Sequence, residues 1–235
     1  EMCIRDSPVT EPEKTFEEVL DEHPVSIQVN GQWQTFPNAK AAEEASYEEY
    51  KANLRRNAKN FRITDEHLGE GGPKAKFQAN VNAIRLLKEL EAAGQQASPE
   101  QQEVLSRYVG WGGLSDAFDP EKPAWALEYA QLKELLTPEE YAAARGSTLN
   151  AHYTSPTVIR AIYETVGRMG FETGNILEPS CGVGNFFGML PEEMRNSRLY
   201  GVELDSISGR IAKQLYPKAD ITVAGFETTD RRDSV

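Results

Sequence analysis

The sequence predicts an α/β protein: a partial, doubly wound parallel sheet preceded by a helical region and a short N-terminal hairpin. Three observations predict it. Asn175-Ile176-Leu177-Glu178-Pro179-Ser180-Cys181-Gly182-Val183-Gly184-Asn185-Phe186-Phe187 reads as a buried strand, a tight glycine turn and a helix start. Leu199-Tyr200-Gly201-Val202-Glu203-Leu204-Asp205 follows as a second strand that ends in an acid. Upstream of both, apolar residues recur at the three-to-four spacing of helices with one buried face.

In chain order, residues 1–40 are an acidic, proline-punctuated lead with the character of a linker or appended module. They contain a hairpin, Val25-Ser26-Ile27-Gln28-Val29 and Gln32-Trp33-Gln34-Thr35-Phe36, joined by Asn30-Gly31. Asn-Gly suits a two-residue turn because both central residues need positive φ. Residues 41–148 form the helical region, whose first helix begins at Ala39 and runs to about Lys59. Lys51, Arg55, Arg56, Lys59 and Arg62 make a basic run without an intervening acid, which is either a solvated face or a phosphate-facing cluster.

Gly69-Glu70-Gly71-Gly72-Pro73-Lys74 opens a long helix over residues 74–93 that would bury Phe77, Val81, Ile84, Leu87 and Leu90. The glycine cluster itself is either a flexible loop or an anion-binding turn. Ser98-Pro99-Glu100-Gln101 and Thr137-Pro138-Glu139-Glu140 are capping boxes with proline at the first helical position, so a short helix starts at each. Between them, Trp111 in Tyr108-Val109-Gly110-Trp111-Gly112-Gly113 is either a stacking platform for a ligand or a plug in the core.

Residues 149–235 form the sheet half. Ser155 caps a helix with Pro156 at its first position, Val158, Ile159, Ile162, Tyr163 and Val166 form its apolar side, and Gly170 ends it. Gly182 and Gly184 let the next turn bend sharply and approach a ligand. Glu203, at the end of its strand, is placed to accept hydrogen bonds from both hydroxyls of a ribose. A dinucleotide fingerprint would need a third glycine and a phosphate-binding loop would need Gly-Lys-Ser/Thr, and neither is present.

The 235 residues, with 39% hydrophobic and 26% charged side chains, have the composition of a soluble globular chain. Cys3 and Cys181 have neither disulfide-scaffold nor zinc-ligand spacing, so no metal site is expected, and Cys181 reads as a turn filler rather than a nucleophile. No apolar run is long enough for a membrane span and no export signal is recognisable, so the expected compartment is a bacterial cytoplasm. The net charge of -12 is uneven: residues 1–50 hold twelve acids and three bases, nine of those net charges. An acidic chain is a poor match to nucleic-acid phosphate unless other regions supply the cations. Glu1 in place of a methionine and the abrupt end at Val235 lead to the expectation of a fragment of a longer reading frame.

The glycine motif resembles the S-adenosylmethionine (SAM) site of amino-methyltransferases acting on adenine in DNA, whose first motif runs Glu/Asp-Pro-Ser/Ala-x-Gly-x-Gly-x-Phe. Upstream, His152-Tyr153-Thr154-Ser155-Pro156 resembles the Tyr-Thr-x-x motif that touches the methionine end of SAM in that family. The order of the motifs is that of the gamma type, and the resemblance implies a Rossmann-like core. It also implies that Gly182 and Gly184 approach the methionine part and that Thr154 and Glu178 bracket it. Pro179 is the fixed proline of the motif, Glu203 holds the ribose, and Leu204 and Phe226 sandwich the adenine. The acid expected beside that aromatic is replaced by Gly225, and Glu227 substitutes only if the backbone turns it inward.

The family's catalytic Asn/Asp-Pro-Pro-Tyr/Phe motif is not found, since none of the thirteen prolines adjoins another. No catalytic residue is therefore assigned, and the chain alone is expected to be inactive. Residues 55–233 further resemble the start of large methylase-helicase proteins of bacterial conjugative elements and phages, with DNA as partner through regions mostly outside this stretch. The rival reading is a vestigial methyltransferase-fold module serving a helicase.

Overall fold

The computed structural model describes residues 23–65, 67–149 and 153–230, with 51 and 54–57 described in backbone only. The acidic lead before residue 23, His152 and the end after residue 230 lie outside the described residues. The chain divides by contacts into two compact units at Arg56/Asn57.

In the first unit, β1 (Val25–Val29) and β2 (Gln32–Phe36) pair antiparallel with Val29 opposite Gln32. Asn30 and Gly31 take φ of 52° and 74°, as the turn requires. Helix α1 (Ala39–Asn57) starts where Asn38 Oδ1 accepts the Ala41 N–H at 2.8 Å, and its Glu49 accepts the Asn30 N–H at 2.5 Å. That bond places the helix with the hairpin, not with the helices that follow.

The second unit holds helices and sheet around one core. Helix α2 (Pro73–Ala92) buries Phe77, Val81, Ile84, Leu87 and Leu90, the predicted stripe, and also Asn80. Helices α3 (Pro99–Ser106) and α5 (Pro138–Ser147) both open with complete capping boxes, and α4 (Ala126–Leu135) lies between them in sequence. Trp111 is 1% exposed and meets Phe77, Tyr108 and Phe118 edge to face. It is a core plug, and the stacking-platform reading falls because its ring faces other aromatic rings rather than open space.

Helix α6 (Pro156–Arg168) precedes β3 (Asn175–Glu178); then come the short α7 (Asn185–Gly188), β4 (Arg198–Glu203), α8 (Ser206–Leu215) and β5 (Asp220–Val223). The strands form a parallel sheet in the order β3-β4-β5, with Glu178 beside Gly201 and Glu203 beside Val223. With the separate hairpin this is a mixed α/β arrangement consistent with a Rossmann-like fold. Two details differ from expectation. Ser155 stands at the α6 N-cap but its side chain caps nothing, and Val158 and Ile162 remain exposed, so only Ile159 and Tyr163 of the stripe are buried.

The helical segment and the sheet half share a core because an extended strap joins them. Phe61 N–H donates to the Leu215 carbonyl at 2.8 Å, Ile63 N–H to the Gly188 carbonyl at 3.0 Å, and Arg62 to the Leu190 carbonyl. Gln102 Nε2 bridges the Lys59 carbonyl and the end of α8, and Gln214 Oε1 accepts the Ala97 N–H. Glu140 on α5 is buried and accepts from Lys88 on α2 at 2.8 Å and from Arg210 on α8 at 2.7 Å. Within the basic run, Arg62 is thus occupied inside the fold, while the Lys51, Arg55 and Arg56 side chains lie outside the described residues. Among the described residues no helix is long and apolar enough to cross a membrane.

Candidate functional site

The site begins with register. Parallel pairing brings Glu178 and Glu203, the last residues of β3 and β4, to the same end of the sheet, where open α/β folds bind ligands. The chain leaving β3 stays in contact with β4: Cys181 N–H donates to the Val202 carbonyl at 3.0 Å, and Gly184 N–H returns to the Cys181 carbonyl at 2.7 Å. Glu203 is buried and fastens the turn, its Oε2 accepting the Gly182 N–H at 2.7 Å and its Oε1 the Asp205 N–H at 2.8 Å. A carboxylate has about four acceptor directions, so two backbone bonds leave capacity for a ligand hydroxyl.

A cavity of about 540 Å³ opens over these strand ends. Of the residues singled out in the sequence, Thr154, Glu178, Gly182, Glu203 and Leu204 line it. Leu204 is 75% exposed and stands at its mouth. Pro179 is exposed between two lining residues, Glu178 and Ser180, and does not itself line the cavity.

Gly184 and Phe226 are not among the residues that line this cavity. Gly184 is buried at the N-cap of α7 with φ 85°, and a Cβ there would run into the Tyr216 ring. Its lack of a side chain serves close packing against the core. Phe226 lies in a one-turn 3-10 helix after β5, 47% exposed and outside the cavity lining, because the chain bends at Ala224 instead of continuing the strand. The Glu227 carboxylate folds back over Gly225, into the space a side chain at 225 would take.

The upstream helical segment supplies part of the wall. Tyr108 and Gly110 from the loop after α3, and Ala143 and Ser147 from α5, line the same cavity. Asn80, buried on α2, holds that loop in place, donating to the Gly110 carbonyl at 2.6 Å and accepting the Val109 N–H at 2.8 Å. Tyr153 is the joint. A Cβ on Gly110 would lie 2.7 Å from its ring and one on Gly182 would lie 2.9 Å from it, so the ring fits between two glycines of positive φ. Its hydroxyl meets Ser208 Oγ at 3.1 Å, and Ser208 Oγ donates to Asp205 Oδ2 at 2.6 Å. Sequence reasoning missed Asp205 as the cap of α8, although Asp205-x-x-Ser208 is a recognisable start signal and Asp205 Oδ2 accepts the Ser208 N–H at 2.8 Å.

The electrostatics follow from burial. Desolvation raises the Glu178 carboxyl above its ordinary value. Burial, with Glu203 and Glu178 nearby, pushes the Cys181 thiol up to about 12, so the sulfur stays protonated and fills the turn, as expected. Among the described residues the titratable lining comprises Glu178, Glu203, Asp205, Cys181 and tyrosines, without a lysine, arginine or histidine.

Fold and site define an α/β protein with a ligand-sized, acid-lined cavity at the carboxyl ends of its parallel strands. The chain is 26% identical over 159 residues to the defense against restriction protein B of Escherichia phage P1, covering 68% of this chain and 6% of that protein. It is 37% identical over 78 residues to the type II methyltransferase M.CvrRI of Paramecium bursaria Chlorella virus XZ-6E, covering 33% of this chain and 20% of that protein. It therefore spans a small part of the length of each. No family model matches the sequence, and no solved structure matches it significantly.

Proposed function

We propose that this chain is the cofactor-binding part of a SAM-dependent methyltransferase that acts on the exocyclic amino group of adenine in DNA. The observation that carries the reading is the charge of the cavity: among the described residues its lining holds three carboxylates and no cation. SAM brings a sulfonium, an ammonium, one carboxylate and a ribose diol, a net positive charge that such a cavity suits, whereas NAD and ATP bring phosphates and a net negative charge that it repels. An ion pair at about 4 Å is worth roughly 4 kcal/mol at the effective dielectric of a partly buried site, before desolvation is subtracted, so the sign of charge selects strongly between these ligands.

In this assignment Glu203 takes the ribose hydroxyls with the oxygen capacity left after its two backbone bonds. Glu178 faces the cationic methionine part, Gly182 and Thr154 border it, Leu204 covers the adenine at the mouth, and Tyr153 holds the wall. Bound SAM supplies an electrophilic methyl group, transferred as a nitrogen–carbon bond forms, a sulfur–carbon bond breaks and the acceptor nitrogen gives up a proton. Similarity to a type II methyltransferase of a chlorella virus supports methyl transfer, and the motif order described above supports the adenine-specific gamma type. Association with a helicase in a longer bacterial polypeptide rests on the resemblance of residues 55–233.

The test is calorimetric binding of SAM and its demethylated product S-adenosylhomocysteine, with NAD and ATP as competitors. Selective binding of the two sulfur nucleosides is expected. No binding at millimolar concentration, or a preference for NAD or ATP, refutes the reading.

A further inference from the structure

A second cavity, of about 430 Å³, adjoins the first: Tyr108, Tyr153, Thr154 and Asn185 line both. Its chemistry is different. Lys76, on the first turn of α2, faces it and is half-buried, and among the described residues no ion pair engages that ammonium. The neighbouring lysines of α2 are committed elsewhere, Lys74 to Glu128 and Lys88 to Glu140. Glu70, the acid in the same lining, is bonded to His67 at 3.0 Å. Thus a cavity with three carboxylates shares a wall with one whose described lining holds a lysine and a single acid that are not ion-paired with each other.

We infer that the second cavity receives a phosphate-bearing nucleic-acid strand, the methyl acceptor, and that Lys76 contacts one of its phosphates. This rests on the methyltransferase reading above. With the ribose at Glu203 and the methionine part at Thr154, the sulfonium lies toward the shared wall, so an acceptor reaching the methyl group comes from the second cavity. A strand that enters there carries a phosphate for each nucleotide. Lys76 is the cation among the lining residues placed to neutralise one, and in this acidic chain such a placed cation matters more than overall charge. The residue is a positioning and binding group, with no part in the chemistry.

The experiment uses the full chain, saturated with S-adenosylhomocysteine, and a fluorescein-labelled single-stranded oligonucleotide containing adenine, followed by anisotropy across a salt series. Lys76→Gln should weaken strand binding severalfold and reduce the slope of log affinity against log salt by about 0.7, the loss of one phosphate contact on a single strand. Lys76→Arg should restore both, and S-adenosylhomocysteine affinity measured without the strand should stay within about twofold for each variant. An unchanged salt slope, or no strand binding by the parent protein, overturns the inference. So does an equal loss of S-adenosylhomocysteine binding in Lys76→Gln, which would make the second cavity the carboxylate end of the cofactor site, and so does an acidic peptide that competes as well as the strand. If the parent fails to bind S-adenosylhomocysteine, the methyltransferase reading fails, while the strand series without it still judges Lys76.

Discussion

Replacing Gly110 with alanine tests whether Tyr153 joins the upstream loop to the ligand turn. Gly110 has φ 69° and Gly113, three residues on, has φ 73°, so an alanine at either costs about 1–2 kcal/mol of left-handed backbone strain. The two differ in surroundings. A Cβ at Gly113 meets nothing within 4 Å, while one at Gly110 falls 2.7 Å from the Tyr153 ring. Displacing a packed ring adds roughly 1–3 kcal/mol. At about 2–4 °C per kcal/mol for a chain of this size, Gly110→Ala should melt a further ~2–12 °C below Gly113→Ala. Because Tyr153 lines the cavity, S-adenosylhomocysteine affinity should fall in Gly110→Ala and hold in Gly113→Ala. In the cycle with Tyr153→Ala, the added cost should vanish and appear as a coupling energy of ~1–3 kcal/mol. Thermal melts and calorimetry on the parent, the three single variants and the Gly110→Ala/Tyr153→Ala double variant suffice. If the two alanine variants melt within about 1 °C of one another and bind alike, the ring does not sit between the glycines as described, and the joint is wrong.

Glu203→Gln places an amide N–H₂ where the Gly182 or Asp205 N–H now donates, so it should cost roughly 1–3 kcal/mol in a urea melt as well as weakening ligand binding; a variant of parental stability and affinity would contradict both roles. Burial raises the Glu178 carboxyl above 4.5, so its contribution to stability is complete below the unfolded value and is lost as pH rises through the raised folded value. A cationic ligand needs the ionised form, so affinity should climb over that same window, release protons on binding, and become flat with pH in Glu178→Gln; parallel pH profiles for parent and variant would remove Glu178 from the site. For Glu140, burial disfavours the carboxylate, but hydrogen bonds from Lys88, the Thr137 N–H and Arg210 outweigh it and hold the pKa below 4.5. Its stabilising contribution is therefore present above pH 4.5 and lost as pH falls through the lowered folded value. Glu140→Gln should cost ~1–3 kcal/mol near neutral pH, discounted because Lys88 and Arg210 are about a third exposed, with the deficit shrinking in acid; an equal deficit at every pH would show that packing rather than charge is at stake.

What the sequence determined by itself was local. The Asn30-Gly31 turn, the two capping boxes, the buried stripe of α2 and the strand-turn-helix around Gly182 all depend on groups within a few residues of one another, where turn geometry and helical period leave few choices. The five cavity-lining residues recognised in advance belong to that class, since register alone carries Glu178 and Glu203 to one end of a parallel sheet. The tertiary structure decided the rest. It turned Trp111 into core, set Gly184 against Tyr216, left Phe226 outside the cavity, occupied Arg62 with a carbonyl, and brought Tyr108, Gly110, Ala143 and Ser147 to a cavity whose acids lie up to nearly a hundred residues further along the chain. Local rules say which residues share a helix face, but the direction that face points is settled only when helices and sheet compete to bury apolar surface together, and that competition is a property of the whole core.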